Sequence, residues 1–200
     1  MPFDYPVYLD LGDADVLVVG GGRVALRKVE GVLAAGAHVT VVAPVIDAAV
    51  VALGVATFLR PYAPGDIAGR MLVITTSDDP AVNAAVAADA RAARVLVNSA
   101  DDPVNCTFIL PAVARRGRMT VAVSSGGGSP ALAQYVRDRV AGDVLTAQVE
   151  AAADTLAAER DAIHAAGGST EGLDWGRRLN ELLGASGRDE STSGSDGSTP

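Results

Sequence analysis

The sequence predicts an α/β protein built on a doubly wound parallel sheet. Short apolar runs alternate with helical patterns through the first half of the chain, and this alternation is typical of right-handed βαβ units. Aromatic residues make up only 4% of a chain that is 49% hydrophobic. The core must therefore consist mainly of Val, Ala and Leu, which suits strands buried on both faces.

Each element of this sheet has its own local signal. The strand at residues 16–19 runs directly into three glycines, and Pro44 ends the next strand. Asp79 and Pro80 suit the N-cap and first turn of an Ala-rich helix. Residues 3–11 are expected to be extended, as a strand or a lead-in. The predicted strands are residues 16–19, 39–43, 56–59, 71–76, 95–98 and 107–110, and the predicted helices are residues 24–35, 46–53 and 81–93.

The glycine turn has the spacing Gly20-x-Gly22-x-x-Ala25, which is the G-x-G-x-x-G/A form of a dinucleotide-binding turn. Gly20 permits a sharp turn, Gly22 lets a pyrophosphate approach the backbone, and Ala25 lets the helix pack closely. The helix N-terminus would then hold the phosphates. Arg23 either holds phosphate oxygens or is solvated. Gly21 is expected to contact the cofactor with its two neighbours. The alternative is a glycine-rich turn of some other α/β protein, but a second strand follows at the length of one βαβ unit.

Ligands of such sheets bind at the carboxyl ends of the strands. The end of the fourth predicted strand therefore makes Thr76 a candidate cofactor contact. The second strand ends at Pro44 without the Asp or Glu that usually binds the adenosine ribose, and Asp47 comes a few residues late. The choice between NAD and NADP stays open on the residues alone.

The stretch Asn98-Ser99-Ala100-Asp101-Asp102-Pro103 is the strongest candidate for catalysis, because its two carboxylates follow the fifth predicted strand at the ligand-binding edge of the sheet. A carboxylate at this edge could accept a proton while hydride leaves for a nicotinamide. The alternative is that Asp101 and Asp102 form a turn and cap before Pro103.

The chain changes character after Ala112. A predicted strand at 119–125 leads into a second glycine-rich turn at Ser124–Pro130. This turn either binds carboxylates through its N–H and hydroxyl groups or is an ordinary capped turn. Helices are predicted at residues 131–140, 144–166 (one or two helices) and 173–183, and a disordered polar tail at 186–200.

Charge and composition exclude several classes of protein. The net charge of −8 argues against non-specific nucleic-acid binding. An anionic substrate would need a local basic patch, for which 115–118 and Arg137/Arg139 are candidates, although solvated surface arginines are an equal alternative. The absence of a long apolar run, a signal peptide and a Cys/His cluster predicts a cytoplasmic protein with no membrane span and no fixed metal.

Together these stretches resemble the siroheme synthase N-terminal family. The matching pieces occur in the family's order between about residues 5 and 140, and five pieces are more specific than the glycine fingerprint alone. They are residues 18–28, 36–44, 98–102, 108–111 and 121–133.

The resemblance implies NAD-dependent oxidation of precorrin-2 to sirohydrochlorin, with insertion of Fe²⁺ to give siroheme as an activity of some members. It places the family's essential aspartate on Asp101 and its substrate serine on Ser125, and we expect Asn98 beside them to contact substrate. Further cofactor contacts are implied at Val24, Pro44 and Val45.

The resemblance also implies a homodimer and a domain order. The expected domains are a Rossmann-like NAD-binding domain at 1–112, a small α+β dimerisation and substrate domain at 113–145, a helical domain at 146–185 and the tail at 186–200. A non-catalytic dinucleotide-sensing or tetrapyrrole-binding module is the alternative function, and it would leave Asp101 dispensable.

Overall fold

The computed structural model describes residues 5–184, so the predicted tail at 186–200 lies outside the described residues. The chain divides into two compact units. The first extends through Leu110 and also takes Ser125–Ser129. The second contains Pro111–Ser124 and the chain from Pro130 onward.

A five-stranded parallel sheet forms the centre of the first unit. Its strand order is β3-β2-β1-β4-β5, so Val16 pairs with Val39 on one side and with Leu72 on the other. The order reverses between β1 and β4, and this reversal makes a crevice at their carboxyl ends. The doubly wound Rossmann-like sheet predicted from the sequence is confirmed. The strands are β1 (Asp15–Val19), β2 (His38–Ala43), β3 (Ala56–Leu59), β4 (Leu72–Thr75) and β5 (Leu96–Ser99).

Helices cover both faces of this sheet. Val16 and Val18 pack with Val29 of one helix, whereas Leu17 packs with Val86 of another on the opposite face. Successive strand residues therefore enter two different cores, because side chains alternate across a strand. The helices are α1 (Arg23–Leu33), α2 (Ala48–Val51) and α3 (Pro80–Ala93).

The sixth strand predicted at 107–110 is wrong. The Thr107 backbone N–H donates to the Val97 carbonyl at 2.8 Å, and the Thr107 hydroxyl accepts from the Val97 N–H at 2.8 Å. One residue thus occupies both backbone groups of Val97, and no ladder develops. The Phe108 carbonyl is taken by the side-chain amide of Asn98 at 3.0 Å. Residues 5–11 run as an irregular lead-in without a strand.

Up to residue 184, the second unit contains an antiparallel hairpin and three helices. Its strands are β6 (Ala112–Arg116) and β7 (Met119–Val123), and Gly117 turns the chain between them with a φ of 51°. Thr146 caps the middle helix by accepting from the Val149 N–H, so the Ala-rich stretch forms one helix rather than two. The helices are α4 (Pro130–Asp143), α5 (Ala147–Ala165) and α6 (Trp175–Leu183).

Candidate functional site

A cleft of about 1050 Å³ opens at the carboxyl ends of β1, β2 and β4. The glycine turn after β1 forms one wall, and the segments after β2 and β4 form the others. All eight residues predicted to contact a cofactor line this cleft: Gly20, Gly21, Gly22, Arg23, Val24, Pro44, Val45 and Thr76.

Two glycines of the turn are required by the protein itself. Gly20 has a φ of +122°, and a Cβ at this position would overlap the Thr76 hydroxyl. A Cβ on Gly21 would overlap the Val45 carbonyl oxygen. The turn is therefore packed directly against the segments that follow β4 and β2.

Gly22 is different, because a Cβ there would meet no protein atom within 4 Å. Its backbone is extended, with a φ of −90°, and it forms the N-cap of α1 without any side-chain cap. The first N–H groups of α1 are thus exposed beside an open space, which is the arrangement that binds a pyrophosphate. Arg23, in the first turn, is exposed and lines the same cleft. These residues fit a dinucleotide.

The segment after β4 is fixed by a buried amide that sequence reasoning did not identify. Asn83 of α3 accepts from the Thr75 hydroxyl and from the Ser77 N–H at 3.2 Å, and it donates to the Ser77 carbonyl at 2.8 Å. The Thr76 N–H donates to the Val19 carbonyl at 2.7 Å. The cleft is also lined by Ser77, Asp78 and Asp79. Their position directly after a buried strand is the sequence signal that could have identified them as site residues.

The far end of the cleft carries no acid at the end of β2. Pro44 and Val45 are exposed, and the Asp47 carboxylate is engaged as the N-cap of α2, where it accepts from the Ala49 N–H at 2.9 Å. The opposite wall includes Tyr62, whose hydroxyl donates to Asp89 at 2.9 Å. Burial is the main reason why the pKa of the Tyr62 phenol is raised, and its hydrogen bond with the Asp89 carboxylate raises the pKa further. The phenol therefore stays neutral.

Asp101 lies in the turn after β5, with a left-handed φ of 58° and an exposed side chain. Asp102 stabilises the turn, because its carboxylate accepts a hydrogen bond from the side-chain amide of Asn105 at 2.6 Å. The Cys106 thiol accepts from the Ser99 N–H at 3.1 Å and anchors the loop to β5. Among the described residues, none makes a hydrogen bond or ion pair with the Asp101 carboxylate, which leaves it available to a ligand.

Lys28, the only lysine of the chain, lies on α1 within electrostatic reach of Asp101. Partial burial, followed by the positive charge of Arg27, lowers the pKa of the Lys28 amine, and the Asp101 charge opposes that shift. A cation therefore lies near the candidate catalytic carboxylate. The residue was within the glycine-turn motif but was not predicted as part of the site.

The two predicted substrate residues have protein partners. Asn98 is buried, and its amide donates to the Phe108 carbonyl. The Ser125 hydroxyl accepts from the Ser129 N–H at 2.8 Å and donates to the Ser129 carbonyl at 3.0 Å. Both side chains hold loops in shape, and their contact with substrate stays a prediction. Ser125 and Asp101 belong to the same unit.

The predicted basic patches are largely neutralised within the second unit. Ion pairs join Arg116 to Glu150 at 2.9 Å and Arg118 to Asp154 at 3.1 Å. On α4, Arg137 pairs with Asp138 and Arg139 pairs with Asp143. In the described part of the chain, only Arg115 of these candidates has no ion pair.

Residues 5–184 contain no group of three or more His, Cys, Asp or Glu side chains arranged to hold a metal ion. Within the same residues, no helix has the length and apolarity needed to cross a bilayer.

The fold and the cleft define a dinucleotide-binding α/β protein, and comparison with known proteins agrees. A family model for NAD(P)-binding domains matches residues 7–112. A second model, for the central region of sirohaem biosynthesis proteins, matches residues 116–142. The chain belongs to the siroheme synthase N-terminal family.

Relatives and a solved structure give the same result. The chain is 43% identical to a siroheme synthase of Nitrosomonas eutropha over 141 residues, which are 68% of this chain and 30% of that protein. It is 46% identical to a siroheme synthase of Pseudomonas putida over 142 residues, 68% of this chain and 31% of the relative. The chain thus spans about a third of the length of these relatives. The structure of SirC, a precorrin-2 dehydrogenase, superposes with a TM-score of 0.66 at 28% identity, covering 90% of this chain and 88% of that one.

Proposed function

We propose that this protein catalyses the NAD-dependent dehydrogenation of precorrin-2 to sirohydrochlorin. The observation that carries the proposal is a dinucleotide cleft in the same unit as an exposed, unpaired carboxylate, Asp101, on a neighbouring loop of the sheet edge. The resemblance to SirC over most of both chains supports the choice of substrate.

The chain's own residues would hold the cofactor through backbone groups. Gly22 leaves space for the pyrophosphate, the first N–H groups of α1 face it, and Arg23 supplies a positive charge. Pro44 and Val45 provide an apolar support at the adenosine end. NAD, when bound there, supplies the hydride acceptor.

Asp101 is proposed as the proton acceptor. The oxidation removes two hydrogens from precorrin-2: one leaves as hydride and one as a proton. An exposed carboxylate without a protein partner can take that proton and return it to water. Lys28 lies within electrostatic reach of this carboxylate.

Iron insertion into sirohydrochlorin is the second candidate activity, and the same carboxylate favours it. Insertion of Fe²⁺ releases two pyrrole protons, while the macrocycle supplies the four nitrogen ligands. Asp101 can accept these protons in turn, so a permanent metal cage is not required. Iron is therefore treated as a substrate of the proposed reaction.

Ser125 and Asn98 are proposed to shape the substrate region by fixing its loops. Ser125 closes the glycine-rich turn through its two bonds to Ser129, and Asn98 holds the loop after Asp101 through Phe108. Residues 113–145 are proposed as the dimerisation domain and 146–185 as a helical domain. The exposed α4 side chains Tyr135 and Val136 are one helical turn from Leu132, and they would form part of a homodimer interface.

The test is the variant Asp101→Asn, because asparagine tolerates the left-handed backbone of this position. We expect kcat for NADH formation from precorrin-2 to fall by at least about a hundredfold, with the Kd for NAD unchanged. Asp102→Asn is the matched control and should retain most of the activity. Normal turnover by Asp101→Asn would show that another group accepts the proton. Addition of Fe²⁺ to the same assay tests the second activity, which requires faster siroheme formation than without enzyme.

A further inference from the structure

We infer that Asp66 makes the cleft selective for NAD over NADP by holding the guanidinium of Arg60 away from the adenosine ribose. The inference rests on the proposed function, because that function requires a dinucleotide in the cleft. The residues at the end of β2 do not decide between NAD and NADP, and the Arg60–Asp66 pair is inferred to make that choice.

The sheet register places Arg60 next to the ribose end of the cleft, which its chain neighbour Pro61 lines. Ala43, the last residue of β2, pairs with Leu59, the last residue of β3, so Pro44 and Arg60 leave the sheet side by side. In doubly wound dinucleotide folds the segment after β2 meets the adenosine ribose, and an arginine nearby accommodates the 2′-phosphate of NADP. Arg60 leaves β3 beside that segment, and its side chain is not among those that line the cleft.

The guanidinium of Arg60 makes three hydrogen bonds to protein groups. Its Nη1 and Nη2 atoms donate to the two Asp66 oxygens at 2.8 and 2.6 Å, a bidentate pair, and Nη1 also donates to the Pro61 carbonyl at 3.0 Å. The group lies over the Phe58 ring, 5.3 Å from its centre. Asp66 accepts in addition from the Ala63 N–H at 2.9 Å.

Asp66 is well suited to retain this cation. Its side chain is only 13% exposed, and the bond from Arg60 holds the pKa of the Asp66 carboxyl below its usual range. A partly buried bidentate pair is stronger than an exposed single contact. Recruiting Arg60 to a 2′-phosphate would require that pair to break and would leave the Asp66 carboxylate without its bidentate partner.

The other charge at this end also opposes NADP. The Asp47 carboxylate lines the cleft a few residues after the end of β2, and it would repel a 2′-phosphate. NAD presents a neutral hydroxyl at the same point and meets no such penalty. Selectivity for NAD therefore follows from a sequestered cation together with a nearby anion.

The test measures Kd for NAD⁺ and NADP⁺ by calorimetry on the purified chain and compares their ratio between variants. Asp66→Asn keeps an oxygen for the Ala63 N–H but loses the charge, so it frees Arg60. We expect the ratio Kd(NADP⁺)/Kd(NAD⁺) to fall by at least about fivefold. The double variant Asp66→Asn/Arg60→Gln should restore the wild-type ratio, since the freed cation is then gone. If the role of Asp66 were merely structural, its loss would weaken the binding of both nucleotides equally and leave the ratio of their Kd values unchanged.

Glu159→Gln is the matched control, because it breaks the comparable bidentate pair with Arg178 in the second unit. It should leave the ratio unchanged. An unchanged ratio in Asp66→Asn, or a gain that survives in the double variant, would overturn the inference.

Arg60→Gln alone decides the matter should Asp66→Asn fail to fold. We expect the wild-type ratio from it, and a selective loss of NADP⁺ binding would show that the guanidinium already serves a 2′-phosphate. Failure of the proposed function is distinguishable. Selective NAD⁺ binding without precorrin-2 turnover contradicts that function and leaves the inference standing, whereas binding of neither nucleotide overturns both.

Discussion

The glycines of the first turn serve two separate purposes. Gly20 is needed for folding, because its backbone is left-handed and its missing Cβ makes room for Thr76. Gly22 has no such requirement, since its φ is ordinary and its surroundings are open. A side chain at Gly22 would therefore obstruct only a ligand.

Exchanging these two glycines for alanine separates the two purposes. We expect Gly22→Ala to fold with wild-type Tm but to raise the Kd for NAD by about tenfold, which corresponds to about 1.4 kcal/mol. Calorimetric titration and thermal unfolding measure both properties. Gly20→Ala is the contrasting variant and should lose about 1–3 kcal/mol of stability. A Gly22→Ala protein that binds NAD normally would show that the pyrophosphate does not lie on this turn.

The pairing of Asp66 predicts a pH dependence of stability. The pKa of its carboxyl is lower in the folded chain than in the unfolded one, chiefly because of Arg60. Its stabilisation is therefore fully present above the unfolded value of about 3.9 and is lost as the pH falls through the folded value. The unfolding free energies of wild type and Asp66→Asn should differ above about pH 5 and converge as the pH falls below it.

Denaturant titrations at several pH values measure that convergence. Asp78→Asn, which removes an exposed carboxylate next to the cleft, is the control and should stay parallel to wild type. A gap between wild type and Asp66→Asn that is constant with pH would contradict the assigned ion pair.

At the scale of elements, α3 supports the cleft at two points. Asn83 ties its first turns to the segment after β4, and Asp79 caps the helix by accepting from the Ala81 N–H at 2.8 Å. The cap and the cleft wall are thus the same short segment. Loss of the cap should loosen the wall as well as the helix.

Substitution of the cap tests this coupling. We expect Asp79→Ala to lower the unfolding free energy by about 1 kcal/mol, because an N–H of the first turn loses its acceptor. Asp79→Asn keeps a capping oxygen and should stay close to wild type in denaturant titrations. Equal stability of the Ala and Asn variants would mean that the cap contributes nothing.

Elements were predictable where one local signal decided them. The Val-rich runs of β1 and β2 and the Asp79-Pro80 start of α3 identify themselves in the sequence. Residues 107–110 look like a strand as well, yet Thr107 and Asn98 use tertiary hydrogen bonds to keep them out of the sheet. A single-sequence pattern does not contain those bonds.

The same limit applies to the site. The glycine turn, Pro44 and Thr76 could be found because strand ends and glycine spacing are local patterns. The Arg60–Asp66 pair, the Asn83 amide and the proximity of Lys28 to Asp101 depend on which loops meet in space, and no spacing encodes that.

At the scale of the whole molecule, surface charge bears on substrate binding. The net charge is −8, and most candidate basic residues of the second unit are paired with acids, as Arg116 is with Glu150. Since Arg23 is proposed to bind the cofactor, the cation that the first unit offers to the proposed anionic substrate is Lys28, which lies near Asp101.

The proposed homodimer makes a prediction at the same scale. Tyr135 is 63% exposed on α4, and a charge there would be buried in an interface. We expect Tyr135→Glu to weaken self-association by at least about tenfold in sedimentation experiments, with its helical content retained. Gln134→Glu introduces the same charge at the neighbouring helix position and is the control. A monomeric wild-type chain would contradict the dimer outright.

The cleft and Asp101 are proposed to oxidise precorrin-2 together, with NAD as the hydride acceptor. This activity is tested by incubating the purified chain with precorrin-2 and NAD⁺ without iron and following NADH and sirohydrochlorin by absorbance. We expect both products to form in equal amounts at a rate that depends on enzyme concentration. Binding of NAD⁺ without formation of either product would contradict the proposal.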